Sequence, residues 1–520
     1  MRTWSRSCGI SIAARSSPAA RRWSRGAGCS AAACISRAIR PRPGVRSASA
    51  FSLTQTSSLT ERGERHVRPT TRRTFLKSAL FAAGGIATMA GAGPLVRLAR
   101  AGGENWPRYY IFAYFSGGWD ILLGLDPRDP RTFTNGNLRQ TLIQPGYELL
   151  VGSDGRPVET PSGLTFGPYI GDLANHAARL AVVRGMSMET LTHEVGRRRF
   201  LTGKPPTGTQ ARGSSALTWL AAGLSRDEAM PHVALQTESY NVDQPNFATA
   251  LSANSVADML RVLRPSNPRL EDRLDRQLDA FLAEVSDCPE ATRSAVWQSA
   301  EAGRLRARDM VTRGLDRLFD FTAAGPEMER LRGHYGVRAN DSSPEAQAAF
   351  AAQAICGGVS RCVSLQATGG LDTHFVDWTT NQGPNQRRGF NAIARLIEDL
   401  ASREHPGTGT SWLDHTVIVG FSEFSRTALL NDRGGRDHAL TNACFLAGGN
   451  IRGGTVIGAS SDVGLAPQAI DFGTGALRSS EDGGQVPRPE NVLQTLFHDA
   501  GLDEAADLRA DPITALLRLA

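Results

Sequence analysis

From about residue 105 onward, polar and apolar positions alternate between two periods, and before it they follow neither. Short, continuous apolar runs occur at Tyr109–Phe115, Leu180–Arg184, His232–Gln236, Cys362–Ala367, Thr416–Phe421 and Cys444–Ala447. A strand with one wet face alternates apolar and polar residues. These runs do not alternate, which predicts strands covered on both faces. Helical spacing lies between them. In Gln386–Ser402, residues Phe390, Ile393, Leu396, Ile397 and Leu400 share a stripe, with Arg387, Arg388, Arg395 and Asp399 off it. Leu270–Val285 and Ala300–Phe321 also read as helices, as does Asn491–Gly501, whose His498 faces solvent or core. Strands alternating with helices predict an α/β fold on a mainly parallel sheet. Residues from about 240 to 355 hold long helical stretches and few strands, so a largely helical insertion is expected there.

The first 66 residues are rich in Arg, Ser, Ala and Gly, and their composition predicts a disordered, low-complexity leader; a true start later in the chain would explain it. Residues 67–101 read as a twin-arginine signal peptide. Arg72-Arg73-Thr74-Phe75-Leu76-Lys77 is the paired-arginine motif, Ser78 to Pro94 the apolar stretch, and Ala99-Arg100-Ala101 a small-x-small cleavage site. The apolar stretch is diluted by four glycines and followed by Arg97 and Arg100, which favours cleavage over a membrane anchor. The expectation is export in a folded state by the Tat translocase, to the periplasm or cell surface, leaving 102–520 as the working domain.

Charge supports this division. The whole chain of 520 residues carries a formal +7, yet its first 101 residues hold 18 Lys and Arg against two acidic residues. The remainder holds 40 basic against 49 acidic residues, a net of −9. A working domain of that sign gives no reason to expect nucleic acid as a partner. Cys8, Cys29 and Cys34 fall in the leader. Cys288, Cys356, Cys362 and Cys444 form no CxxC pair, so a zinc ribbon is not expected. Cys356 and Cys362 are the nearest candidates for a disulfide, with buried free thiols the alternative.

In parallel sheets, functional groups gather beyond the carboxyl ends of the strands, so the residues after each run matter most. Tyr109–Phe115 is followed by Ser116-Gly117-Gly118-Trp119-Asp120. Leu180–Arg184 leads to a turn holding Ser187, Thr190, Thr192 and His193. Cys362–Ala367 leads to Gly369-Gly370-Leu371-Asp372-Thr373-His374, and Thr416–Phe421 to Ser422-Glu423-Phe424-Ser425-Arg426-Thr427. Gly434-Gly435-Arg436-Asp437-His438 precedes the last run. Each has an ordinary reading alone: an Asp after Gly-Gly caps a turn, Glu423 pairs with Arg426, Asp437-His438 is a solvated loop, and Trp119 packs in the core. Asp372-Thr373-His374 is the most suggestive, because carboxylate and imidazole are the ligands of zinc-like sites, where bound water becomes nucleophilic near neutral pH. Together the strand ends predict one shared site. His405 and His415 flank a Gly/Thr-rich loop and are expected to be exposed. Gly448 to Gly458 lacks the Lys-Ser/Thr ending of a phosphate loop and reads as a turn and hairpin.

These motifs also carry a resemblance. The order of twin-arginine signal, Phe115-Ser116-Gly117-Gly118-Trp119-Asp120, Gly369 to His374, Ser422 to Thr427, Asp437-His438 and Gly448-Gly449-Asn450-Ile451-Arg452-Gly453-Gly454 resembles the bacterial family called domain of unknown function 1501. That family is grouped with alkaline phosphatases and sulfatases. The resemblance implies an alkaline-phosphatase-like, doubly wound fold and a metal-dependent hydrolase ancestry. By it, Asp120 resembles the metal-binding Asp ending the first strand, Asp372 and His374 a later pair of ligands, and His438 the final histidine ligand, with Asp437 beside it. Glu423 takes the strand-end place of an Asp-His pair. Here the pair is Glu423-Phe424, so one imidazole is missing or comes from elsewhere. No motif fixes the nucleophile among Ser187, Thr190 and Thr192.

The expected activity is hydrolysis of a phosphate or sulfate ester, on a small molecule or polysaccharide. Asp120, Asp372, His374, Glu423, Asp437 and His438 would hold one or two divalent ions (zinc, manganese or calcium). Thr192 would attack, and His193 or Arg426 would stabilise charge. The alternative is a non-catalytic exported binding or assembly protein, with an exported partner, on a degenerate hydrolase scaffold. A phosphomutase-like enzyme with the same metal site is a third reading.

Overall fold

Tyr109–Phe115 forms a strand, β1, with all seven residues buried. Ile111, Ala113 and Phe115 enter one apolar core, while Tyr110, Phe112 and Tyr114 enter another. Side chains that alternate across a pleated strand must do this when both faces are covered. In this computed structural model the described residues are 108–520, apart from 153, 209, 226–227, 266–270, 504–505 and 519–520. The leader, the motif Arg72–Lys77, the site at Ala99–Ala101 and Cys8, Cys29 and Cys34 lie outside them.

The remaining strands are β2 (Leu180–Ser187), β3 (His232–Leu235), β4 (Leu251–Ala253), β5 (Cys362–Thr368), β6 (Thr416–Phe421), β7 (Thr441–Ala447) and β8 (Thr455–Ile457). They pair in the order β8-β2-β7-β6-β1-β5-β3-β4. Neighbours are parallel except at β7, which runs antiparallel to both β2 and β6. The apolar run Cys444–Ala447 therefore belongs to the one antiparallel strand. Its position inside the sheet buries both faces, so hydrophobicity alone carried no sign of its direction.

The helices are α1 (His193–Thr202), α2 (Ala216–Leu224), α3 (Val256–Leu263), α4 (Asp272–Ser286), α5 (Ala295–Thr312), α6 (Pro326–Tyr335), α7 (Pro344–Cys356), α8 (Gly383–Ser402) and α9 (Pro489–Ala500), with shorter turns between them. Leu217 and Leu220 of α2 and Leu493, Leu496 and Phe497 of α9 pack with Tyr110 and Phe112 on one face of the sheet. Ala351 and Ile355 of α7 and Phe390, Ile393 and Ile397 of α8 pack with Ile111 and Phe115 on the other. This is a mainly parallel α/β sheet covered by helices on both sides. Helices α3 to α7 occupy the segment between β4, at the sheet edge, and β5.

Several expectations change in detail. The helical pattern at Ala300–Phe321 is divided: α5 ends at Thr312, Gly314 turns left-handed at φ +64°, and a short turn spans Leu315–Leu318. Asp399, off the apolar stripe of α8, is buried by accepting from Arg330 at 2.7 Å and the Tyr335 hydroxyl at 3.0 Å. His405 and His415 are buried rather than exposed, their rings 4.2 Å apart, because the Gly/Thr loop folds back over them. Cys288, Cys356, Cys362 and Cys444 are free thiols, and burial pushes Cys356 up to about 12. Among the described residues, no helix is long and apolar enough to cross a membrane.

Candidate metal centre

The exits of β1, β2, β5 and β6 lie at one edge of the sheet, and the antiparallel β7 starts at that same edge. Topology thus brings His438, which precedes β7, to the place where His193, Asp372 and Glu423 follow strands running the other way. A two-residue ribbon, Ser425–Arg426 against His438–Ala439, fixes the register, pairing His438 with Arg426. Gly117, at φ +111°, lets the exit of β1 lie against Asp372: a Cβ there would stand 2.7 Å from the Asp372 amide nitrogen.

At this edge His193, Asp372 and His438 place one ligand atom each within 4.8 Å of one another. Asp372 Oδ1 lies 3.5 Å from His193 Nε2, 3.6 Å from His438 Nε2 and 3.0 Å from His374 Nε2. His374 Nε2 is 2.9 Å from His438 Nε2. His193 Nε2, His438 Nε2 and Asp372 Oδ1 therefore converge, with His374 Nε2 beside the last two, and Asp372 is about half exposed, so solvent reaches them.

The far nitrogen of each ring has a fixed partner. His193 Nδ1 lies 2.7 Å from Glu423 Oε1, His374 Nδ1 2.8 Å from Asp437 Oδ1, and His438 Nδ1 2.6 Å from the Leu191 carbonyl. Those partners only accept, so each Nδ1 carries the hydrogen, and each neutral ring turns an Nε2 lone pair inward. The Arg426 guanidinium already donates to His374 Nε2 and Asp372 Oδ1, which leaves the lone pairs of His193 and His438 facing that carboxylate oxygen, an arrangement a cation would relieve. Carboxylate- or carbonyl-held imidazole is also how metal-ligating histidines are oriented. The residues fit a divalent ion on this chemistry.

Electrostatics follow the contacts. Burial works to lower His193, but the hydrogen bond and charge of Glu423, with Asp372 adding, raise it above the usual histidine range. Burial holds His438 below that range, with Arg426 nearby reinforcing it against the Leu191 hydrogen bond. Burial would push the Asp372 and Glu423 carboxyls up, yet Arg426 in the first case and His193 in the second hold them below the ordinary value.

The proposed site residues divide accordingly. Asp372, His374 and His438 come together, and His193, expected to stabilise charge, points its Nε2 into the same cluster. It supplies the imidazole absent at Phe424, whose ring instead packs 4.2 Å from His438 and 4.7 Å from His193. Glu423 does not face the cluster. It is buried and accepts from His193, the Gly117 amide at 2.9 Å and the Ser422 hydroxyl at 2.9 Å. Asp437 likewise holds His374 and accepts from Asn431 at 3.1 Å.

Asp120 is displaced from the ligand set. Its Oδ2 accepts from Trp378 Nε1 at 2.9 Å and pairs with Arg436 Nε at 3.0 Å, both side chains wholly buried, while Oδ1 caps a short turn through the Leu122 amide. Arg426 is not available to a substrate. Its side chain has no exposure, and its five N–H groups go to Gly118 O, His374 Nε2, Arg436 O, Gly117 O and Asp372 Oδ1. Arg426 is a brace for Asp372. Thr192 caps the start of α1 and is exposed, its hydroxyl 3.4 Å from that of Thr190. Ser187 sits in β2 opposite Thr441.

The sequence reading missed the bracing set of Arg436, Trp378 and Gln386, whose side-chain oxygen accepts from the Asp120 amide at 2.8 Å. A buried Arg in a Gly-Gly-Arg-Asp-His loop gives no signal in sequence, since loop arginines are ordinarily exposed.

Among solved structures, the chain is similar to a 2-O GAG sulfatase, with 9% identity over 80% of this chain and 74% of that one, at a TM-score of 0.31. It is also similar to a protein in complex with its substrate D-glucosamine-2-N,6-O-disulfate, with 10% identity, 79% and 80% coverage and a TM-score of 0.28. Scores of that size carry no argument about this chain's chemistry, and its fold class rests on its own sheet. No curated protein matches the sequence. The family model described as protein of unknown function (DUF1501) matches residues 110–477, and the chain belongs to that family.

Proposed function

We propose that the chain is an exported, metal-dependent hydrolase of a phosphate or sulfate ester. The observation that supports this most is the convergence of His193 Nε2, His438 Nε2 and Asp372 Oδ1, with His374 Nε2 against His438 Nε2 and each ring held from behind. A divalent metal held there supplies Lewis acidity, polarising an ester oxygen and acidifying water. Three imidazole nitrogens suit zinc or a neighbouring transition metal, and argue against calcium, which takes oxygen ligands. His193, Asp372 and His438 would hold the ion, with His374 joining them where Arg426 ceases to donate to its Nε2. Glu423, Asp437 and the Leu191 carbonyl fix the tautomers, and Arg426 keeps Asp372 charged and in place. Thr192, exposed at the head of α1, and the half-buried Thr190 beside it are the hydroxyls left to meet the substrate. The working domain acts outside the cytoplasm after export through the twin-arginine route.

The full burial of Arg426 favours a second reading. An anionic ester would find this guanidinium already committed, as expected of a binding or assembly protein on a degenerate scaffold.

Elemental analysis of the purified chain, beside His193→Ala and His438→Ala variants, tests the first reading together with aryl phosphate and aryl sulfate assays. Near-stoichiometric metal, lost in both variants along with ester cleavage, is the expected result. Metal without turnover would favour the binding protein. No metal in the folded wild-type chain would end the hydrolase reading.

A further inference from the structure

A second feature lies one helical turn along α1 from His193. Arg197 follows it by four residues, which places the two side chains on one face of the helix about 6 Å apart. Arg197 borders a cavity of about 560 Å³ that is also walled by Tyr114, Gln236, Glu238, Asn254 and Gln366. That volume falls within the roughly 300–1,000 Å³ usual for small-molecule sites. The cavity opens beyond the carboxyl ends of β1, β3, β4 and β5, the edge that also carries the metal centre. The two are adjacent: Gly117, two residues past the end of β1, donates to Glu423, and Glu423 holds His193.

The chemistry of the lining is specific. Its only full charges are Arg197 and Glu238, and these pair with each other, so the cavity offers no net charge to an ion. The rest is dominated by amide and hydroxyl groups that can donate and accept. The Tyr114 hydroxyl and the Arg197 guanidinium are buried against each other at the floor of the cavity. Gln236 sits at φ +51°, an uncommon place for a residue with a side chain, held by its own amide donating to the Ala253 carbonyl at 3.0 Å. An aryl or acyl group entering here would strip water from these polar groups without replacing its hydrogen bonds. A ligand with several hydroxyls would satisfy them.

We infer that this cavity is a binding site for a neutral, polyhydroxylated group, a sugar unit, beside the metal centre. The inference deepens the proposed function and rests on it only in making that sugar the body of the ester substrate. Binding itself requires no turnover.

Saturation-transfer NMR on the full chain with the methyl glycosides of glucose, galactose, mannose and N-acetylglucosamine tests it, with inorganic sulfate and p-nitrophenol as controls. At least one glycoside is expected to bind in the millimolar range. Asn254→Leu with Gln366→Leu should weaken it tenfold or more while metal content stays at the wild-type level. Asn254 is exposed, so Asn254→Ala alone supplies the same test if the double variant does not fold. The inference is overturned if no glycoside binds, if only p-nitrophenol or sulfate binds, or if glycoside binding survives the substitutions. Failure of the hydrolase reading would appear separately, as absent metal or absent ester cleavage with glycoside binding intact.

Discussion

Replacing Asp120 by Asn separates the brace beneath the centre from its ligands. Asp120 and Arg436 are both wholly buried and paired at 3.0 Å. Breaking a buried pair by removing one charge costs about 3–5 kcal/mol, because the other is left uncompensated. Asn preserves volume but has one acceptor oxygen. It cannot serve the Leu122 amide on one side and Trp378 Nε1 with Arg436 on the other, so one of these contacts becomes donor against donor. At about 1.4 kcal/mol per tenfold, the unfolded fraction rises by two to four powers of ten. Urea unfolding followed by tryptophan fluorescence, with metal content measured on the same sample, is the assay. The midpoint should fall by roughly 1 M while the folded protein keeps its metal. A variant of unchanged stability that has lost its metal would refute this reasoning and return Asp120 to the ligand set.

Glu423→Gln should weaken metal binding about 10- to 100-fold in competition with a chromophoric chelator, because His193 loses the carboxylate that orients it; unchanged affinity would show that His193 is held by packing alone. Gly196→Ala should abolish metal binding, since the added Cβ would stand 2.2 Å from the Glu423 carbonyl oxygen and α1 would have to move, carrying His193 with it. Gly303→Ala, on α5 with nothing within 4 Å of its Cβ, should instead stabilise the fold by about 0.5–1 kcal/mol in the same unfolding assay. Burial holds His232 down to about 4, against an opposing backbone hydrogen bond at Ala248. Its stabilising contribution is complete above the unfolded value near 6.5 and is lost as pH falls toward 4, by about 3 kcal/mol at most. His232→Leu should therefore flatten the fall in unfolding temperature over that interval, and an unchanged slope would assign the acid sensitivity elsewhere.

The sheet was legible because its strands are apolar on both faces, which only a covered position in a sheet allows, and each predicted run lies in one of β1, β2, β3, β5, β6 and β7. β4 and β8 were not, since three-residue edge strands with half-exposed side chains carry no pattern. For the centre, looking past strand ends found Asp372, His374, Glu423, Asp437 and His438, but not the layer each occupies. Glu423 and Asp372 are both strand-exit carboxylates. Which one is buried behind a histidine and which is open to solvent depends on the approach of α1 at Gly196, a distance that no spacing in the chain encodes. His193 was visible as a histidine beside a turn, and its orientation became definite only with Glu423 behind it. The burial of Asp120 was not legible because its partner Arg436 comes from a loop far along the sequence, and long-range ion pairs leave no local trace.

The antiparallel β7 sets a condition on synthesis. Since it lies between β2 and β6, the sheet has a gap at its middle until residues 441–447 have left the ribosome. Until then the backbones of β2 and β6 are unpaired edges, open to another chain as much as to β7. Closing the gap also delivers His438, so the centre is completed by the step that seals the sheet. A chain stopped after β6 would be prone to aggregate and would lack His438, and on the proposed reading metal occupancy would therefore count finished molecules.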